Sequence, residues 1–249
     1  MTMKNDRLVS RRTAIMTGLT SLGGLLLPGC SKPLPPTYGN ILRMGDALTY
    51  VAQRALLPGQ SLAKEYAYRD ISSFPATGTT NPADPSSRYF SEDYARLLKA
   101  SFGDWRLPVE GMVARPASYA MADLRRFPIQ KQITRHTCEE GWTAIAEWAG
   151  VSLGTLLQHA GILPNARFVG FYAYDGYVDC IDLFDAFHPQ TILAYGMNGR
   201  ELPIQHGAPV RLRIETQIGY KSMKYLQRIV VSDKFIDTGD TGWAWYVGI

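Results

Sequence analysis

Apolar side chains recur along this chain at two spacings, and the spacing predicts which segments are helices and which are strands. Trp142, Ile145, Ala146 and Ala149 stand at the i, i+3, i+4 and i+7 positions of one face, which predicts a helix over Cys138–Ala149. Ser152 can cap a second helix that ends near Gly161, and Tyr94–Ala100 reads as a short one. β-Branched and aromatic residues crowd Phe168–Tyr174, Val210–Ile214 and Tyr225–Val231; these and Leu107–Val113 are predicted strands, with Gln132–Thr137 extended. Asn198-Gly199 marks a hairpin turn. The stretch from Phe74 to Pro82 is too rich in Pro, Gly and Thr for helix or central strand, so it is a predicted long loop of the kind that lines sites. The mixture defines an α+β class without internal repeats.

Composition narrows the function. With 249 residues, 46% of them hydrophobic and 19% charged, the chain is neither a disordered polymer nor a disulfide-dense miniprotein. Its 14 Tyr, 9 Phe and 5 Trp supply the bulk of a sizeable core. The formal charge of +4 is concentrated at one end: Lys4, Arg7, Arg11 and Arg12 are opposed there only by Asp6, and the remainder carries 22 basic against 21 acidic residues. A nearly neutral body without a Lys/Arg run argues against nucleic acid or an anionic membrane surface as partner.

Ser10-Arg11-Arg12-Thr13-Ala14-Ile15-Met16 precedes a weakly apolar stretch from Thr17 to Leu27 and resembles a twin-arginine export signal. The stretch is shorter than the roughly 20 residues a bilayer-crossing helix requires. Leu27-Pro28-Gly29-Cys30 resembles a lipobox, which makes Cys30 a candidate lipid anchor. Residues 1–30 are thus expected to be the signal and 31–73, opening with Pro33, Pro35 and Pro36, a tether and N-terminal extension. Export by this route implies a periplasmic protein that folds, and receives any cofactor, before it leaves the cytosol. In that oxidising compartment Cys138 and Cys180 are expected either to form a disulfide or to include a ligand or nucleophile.

Cys138 lies between an extended segment and the predicted helix, where a helix dipole would favour the thiolate that binds metal or attacks carbon; Glu139 and Glu140 oppose it. Gly150-Val151-Ser152-Leu153-Gly154 matches the pattern of a hydrolase nucleophile elbow, but the helical periodicity before Ser152 and its capping position count against that use. His206 to Arg211 and Gly219 to Lys224 bring cations and backbone N–H groups onto tight turns, a combination suited to phosphate. The four histidines show no HxH, HExxH or CxxC spacing, which argues against a protein-only zinc site, and the absence of CxxCH argues against covalent haem.

Arg135-His136-Thr137-Cys138-Glu139-Glu140-Gly141-Trp142, followed by Trp148-Ala149-Gly150-Val151-Ser152-Leu153, resembles the metal-ligand segment of the sulfite oxidase family of molybdopterin enzymes. Leu107-Pro108-Val109-Glu110-Gly111, Leu193 to Gly199, His206 to Arg211 and Gly219 to Tyr225 resemble further blocks of that family in order. The resemblance implies a sulfite-oxidase-type molybdopterin-binding domain of mixed sheets with flanking helices, occupying 74–249. It implies that Cys138 binds molybdenum and is the catalytic residue, beside the dithiolene of a single pterin. His206, Arg211, Gly219, Tyr220, Lys221 and Lys224 then fall on positions that grip the pterin and its phosphate, and Thr77, Gly78 and Thr79 resemble an N-terminal pterin contact.

Two departures refine this expectation. Glu139-Glu140-Gly141-Trp142 stands where sulfite oxidases carry Gly-Asn and arginines, and carboxylates facing the metal would repel sulfite. The pattern is closer in style to the periplasmic methionine sulfoxide reductase catalytic subunits, although His206 replaces their asparagine and Thr77 stands where relatives often carry Asn. Only 18 residues follow Val231, without a counterpart of the classical dimerisation domain, so a monomer is expected. Together these readings imply an exported oxidoreductase that moves an oxygen atom to or from a small substrate and exchanges electrons with an external partner, a membrane cytochrome. The competing expectation is a metal-free binding module of the same fold with Cys138 and Cys180 bridged.

Overall fold

The structure, a computed structural model, describes residues 61–236 together with Leu48, Ala52, Ala55, Leu56 and Thr238. Two units are distinguished, Met1–Gly45 and Asp46–Ile249, and all described residues belong to the second. The predicted export signal, Cys30, the proline-rich tether and the aromatic tail Trp243-Ala244-Trp245-Tyr246 lie outside the described residues. No described helix is long and apolar enough to cross a membrane.

Two five-stranded sheets organise the second unit. The first contains β1 (Arg106–Gly111), β2 (Ala117–Ala120), β5 (Phe168–Ala173), β6 (Val178–Asp182) and β10 (Leu226–Ser232) in the order β2-β1-β10-β5-β6. Its pairs are antiparallel except β1 with β10. The second contains β3 (Ile129–Thr137), β4 (Thr143–Ser152), β7 (Ile192–Met197), β8 (Arg200–Glu201) and β9 (Arg211–Arg213), ordered β3-β4-β7-β8 with β9 also on β7. Within residues 61–236 four short α-helices accompany them: α1 (Glu92–Lys99), α2 (Met121–Leu124), α3 (Leu153–Ala160) and α4 (Leu183–Ala186). The main core joins Trp105, Leu107, Val109, Leu156, Phe171, Ile229 and Val231, while a smaller cluster around Ala146, Trp148, Ile192 and Met197 lies beneath Phe74.

The strands predicted near 107, 168, 210 and 225 are present, as are the short helix at Glu92–Lys99 and the extended segment before Cys138. The helix predicted over Cys138–Ala149 is not. Residues 143–151 pair with 129–137 in one continuous antiparallel ladder, and Cys138 to Trp142 form its five-residue tip. The reason lies in which side chains are buried: Ala144, Ala146 and Trp148 alternate inward with period two, whereas Ile145 and Ala149 of the helical face are only half-buried. Because β4 also pairs with β7, it is a central strand, and partners on both sides outweigh its helical spacing.

Ser152 caps α3 as expected, its Oγ accepting from Thr155 N, and Gly161 ends that helix at φ +74°. A strand does precede Ser152 and a helix does follow it, so the context of the GxSxG pattern is better than its periodicity suggested. The hydroxyl is nonetheless committed to the cap, and its backbone at φ −57°, ψ 129° lacks the strain of an elbow. Asn198 and Gly199, at φ +51° and +73°, make the hairpin turn between β7 and β8. Within the N-terminal extension, Tyr66 N donates to Ile133 O, Ser72 N donates to Ile145 O, and Tyr68 donates its hydroxyl to Glu147, so residues 66–72 are held along the β3–β4 hairpin.

The β4–β7 ladder shifts register between Ala149 and Gly150, and a Cβ at Gly150 would overlap the Leu193 carbonyl oxygen and the Ala194 Cα. Only backbone stands in the way, so relief requires the strands to part. Gly150→Ala is expected to cost about 3 kcal/mol or more, the scale of overpacking a buried site. Urea denaturation measures this, and an unchanged midpoint would contradict the packing described.

Candidate active site

A pocket of about 640 Å³ opens beside the tip of the β3–β4 hairpin. Six chain segments form its wall: the loop after Phe74, Arg88–Tyr89, the hairpin tip at Cys138, the β5–β6 turn at Asp175–Tyr177, the turn at His206, and the run from Arg211 to Lys224. Thr77, Gly78, Thr79, Cys138, His206, Arg211, Gly219, Tyr220 and Lys224 all line it, which brings together nine of the ten residues singled out in the sequence.

The tenth, Lys221, is not brought to the pocket. Its Nζ donates to Asp179 Oδ1 at 2.7 Å and Cys180 O at 2.8 Å, both buried, and this corrects the expectation that it contacts a phosphate. A buried ammonium requires a charge partner, and β6 supplies one. Lys221 therefore holds the turn Gly219–Lys221 on which Tyr220 is presented.

Lys224 organises the opposite wall. Its Nζ donates to the carbonyls of Thr77 (2.6 Å), Thr79 (2.8 Å) and Gln205 (3.0 Å), and Tyr225 Oη donates to Thr79 O at 3.1 Å. The loop predicted at 74–82 is thereby tied down over the site. Gly207, at φ +104°, allows this close approach, since a Cβ there would lie 2.8 Å from that of Lys224. Burial, and then Arg211, push the Lys224 ammonium down to about 7. Arg211 donates from Nη1 to His206 O and from Nη2 to Ser222 O and lies over the Trp148 ring at 5.1 Å, yet its buried Nε–H has no partner. Burial, followed by Arg213, pushes this guanidinium down to about 9. Buried Arg211 and half-buried Lys224, close to each other with one Arg211 donor unused, form a cationic cradle on this wall.

Cys138 sits at the hairpin tip, its N–H donating to Trp142 O at 3.0 Å and its carbonyl accepting from Gly141 N at 3.1 Å. No helix follows it, so the expected dipole is absent. Burial raises the thiol above its ordinary value, as does Glu139, whose Oε2 is 3.5 Å from Sγ, against a lowering hydrogen bond from the Glu140 backbone. A thiolate here needs a further cation, which a coordinated metal supplies directly. Cys180 is buried on β6 with its thiol pushed up to about 11 by burial, and both cysteines are free, which corrects the expectation of a Cys138–Cys180 bridge.

Sequence reasoning passed over several lining residues. His136 stands two positions before Cys138 on β3 and shares its face by strand alternation, a signal the sequence did carry. Phe74 packs edge-on to Trp142, Trp148 and His206 at 5.7, 5.3 and 5.5 Å, forming an apolar floor. Arg88, Tyr89, Asp175 and Tyr177 are brought in by loops and had no spacing to reveal them.

Burial, then Arg211 and Lys224, push His206 down to about 4 from its ordinary 6.5. The unfolded chain thus binds a proton that the folded one refuses, so this contribution is complete above pH 6.5 and is lost as pH falls toward 4. Cofactor-free protein is expected to lose on the order of 2–3 kcal/mol across that window by urea denaturation, with His206→Gln flattening the slope. An identical slope in the variant would contradict the burial of a neutral imidazole.

Residues 95–238 match the family described as oxidoreductase molybdopterin binding domain. The chain is similar to YedZ1 of Azospira oryzae, named as a protein-methionine-sulfoxide reductase subunit, with 34% identity over 98% of this chain and 90% of that protein. It is also similar to MsrP of Ralstonia nicotianae, a protein-methionine-sulfoxide reductase catalytic subunit, with 32% identity over 62% of this chain and 49% of the relative. Among solved structures, the sulfane dehydrogenase SoxCD of Paracoccus pantotrophus shares the fold, with a TM-score of 0.51, 24% identity, and coverage of 54% of this chain and 39% of that one. The sequence pattern around Cys138, the mixed two-sheet fold and these matches agree: the chain belongs to the oxidoreductase molybdopterin-binding domain family and is a molybdopterin-dependent oxidoreductase with the sulfite-oxidase-type fold.

Proposed function

We propose that this protein reduces sulfoxides, methionine sulfoxide above all, in the periplasm, with molybdenum held by Cys138 and a single pterin in the pocket. The observation that carries the reading is the convergence of Cys138 with buried Arg211 and half-buried Lys224 on one 640 Å³ pocket, a volume suited to a cofactor-sized group. The unpartnered Nε–H of Arg211 fits a phosphate oxygen. Lys224 has its three protons committed to carbonyls and acts as a point charge, while Thr77, Gly78 and Thr79 form the rim it fixes. His206, Gly219 and Tyr220 complete the lining, with Cys138 as the metal ligand and catalytic residue.

When bound, the molybdenum–pterin group supplies the two-electron chemistry; the net reaction converts a sulfoxide, two electrons and two protons into a thioether and water. The protein orients the substrate and sets the field. Glu139 and Glu140 both line the pocket, and Glu140 is held by Trp142 Nε1 at 2.8 Å. Two carboxylates beside the thiol discriminate against sulfite and admit a neutral sulfoxide. Phe74 and Trp142 offer apolar surface to a thioether side chain.

Export rests on the twin-arginine pattern, and Cys30 is proposed as its lipid anchor. Both relatives are named as subunits, which supports electron delivery by a separate partner, proposed here as a membrane cytochrome serving a monomeric catalytic chain. The test is turnover with a reduced viologen dye as electron source. Oxidation of the dye by methionine sulfoxide, without sulfite oxidation by the same preparation, is expected. Sulfite turnover without sulfoxide turnover would overturn the reading.

A further inference from the structure

His136 and Cys138 are two residues apart at the end of β3 and both line the pocket, so the histidine ring stands beside the proposed metal ligand. Its two ring nitrogens meet different surroundings. Nδ1 lies 2.6 Å from Arg213 Nη1. That guanidinium is itself immobilised: Nε and Nη2 donate to Glu215 Oε1 (3.2 Å) and Oε2 (2.8 Å), Nη1 also reaches Ser222 Oγ, and the plane lies over Trp148 at 4.5 Å. Glu215 is held in turn by Gln132 Nε2 at 2.9 Å, and the Arg213–Glu215 pair is essentially closed to solvent.

A guanidinium has donors and no acceptor, so His136 Nδ1 must accept. A proton on Nδ1 would set two donors head to head inside the protein, and the neutral ring therefore carries its proton on Nε2. Among the described residues the ring's hydrogen bond is made by Nδ1, and near Nε2 the carboxylate Oε2 of Glu139 lies 3.2 Å from the position a Gly219 Cβ would take. Nε2 faces Gly219 so closely that a Cβ there would lie 2.6 Å away. The backbone turn at Gly219 thus leaves open the side from which a ligand reaches Nε2–H.

We propose that Arg213 is a positioning residue that fixes His136 in the Nε2–H form, and that His136 donates this hydrogen to the oxygen of the sulfoxide bound beside Cys138. The assignment to a substrate oxygen rests on the function proposed above; the tautomer does not. Arg213 and Glu215 set the ring from behind, so the donor is aligned before substrate arrives and costs no reorganisation.

Two measurements test it. In the full-length protein labelled with ¹⁵N-histidine, the His136 signals are assigned by their loss in His136→Gln. A pyridine-like Nδ1 and a pyrrole-like Nε2 are expected, and a protonated Nδ1 would overturn the proposal without recourse to activity. The second measurement compares holoenzyme carrying His136→Phe or His136→Gln, with molybdenum and pterin quantified first. His136→Phe is expected to lower kcat/KM for methionine sulfoxide roughly tenfold, the scale of one hydrogen bond to an uncharged acceptor, through KM and at unchanged cofactor content. Gln, which retains a donor near the Nε2 position, is expected to restore most of it. A fall in cofactor content that tracks the activity, or an unmoved KM in His136→Phe, would overturn this inference alone. A loaded wild-type enzyme without sulfoxide turnover would instead overturn the function reading together with the substrate assignment.

Discussion

Replacing Cys138 by serine is expected to reduce sulfoxide turnover on the order of a thousandfold, beyond the roughly 10- to 100-fold that partners outside the coordination shell cost. On the proposed reading Cys138 would give a soft thiolate to a high-valent metal that also carries sulfur ligands, a match that a serine oxygen does not reproduce. The fold should survive, because the hairpin tip is held by backbone bonds between Cys138, Gly141 and Trp142 that any side chain permits. Pterin content should fall little, since its proposed contacts with Arg211, Lys224 and the Thr77–Thr79 loop are untouched, while the metal's spectroscopic signature changes. Turnover within tenfold of wild type would remove Cys138 from the chemistry.

Arg211→Met should act the other way, on cofactor retention first. Arg211 is buried over Trp148, and its guanidinium meets carbonyls where an anion would suit it better. In the cofactor-free protein that charge is an uncompensated cost, so its loss offsets part of the damage from leaving the His206 and Ser222 carbonyls without a donor. In the loaded protein the loss would include the proposed charge-assisted phosphate contact. Pterin retention is expected to weaken about 100-fold, near 3 kcal/mol, and the Tm increment between cofactor-free and loaded protein should shrink accordingly. Equilibrium dialysis with pterin fluorescence measures the first and calorimetry the second. Equal retention in variant and wild type would contradict the cradle.

Much of this architecture was legible in the sequence, and the exceptions share a cause. Segments dense in β-branched and aromatic residues became strands, and the Ser152 and Gly161 caps bound α3, because those signals act over a few residues. The segment after Cys138 misled because its large residues are spaced as on a helix, while the inward set of Ala144, Ala146 and Trp148 is mostly small. Pairing with β3 and β7 then decided the matter from a distance. The same remoteness hid the fate of Lys221, whose partner Asp179 is 42 residues away, and the anchoring of the 74–82 loop by Lys224, 147 residues from Thr77. Cation-rich turns pointed to an anion site but did not say which lysine would turn inward. His136 was legible, since alternation along a strand places it beside Cys138, but the helical spacing just after the cysteine hid that β3 and β4 form one hairpin around it.

The central claim is that Cys138 and the cation cradle hold a molybdenum–pterin group. Its most direct test is the metal and pterin content of wild-type protein matured in a host competent for cofactor synthesis, by elemental analysis and cofactor fluorescence. One molybdenum and one pterin per chain is the result this account predicts. Protein that folds with neither would contradict it.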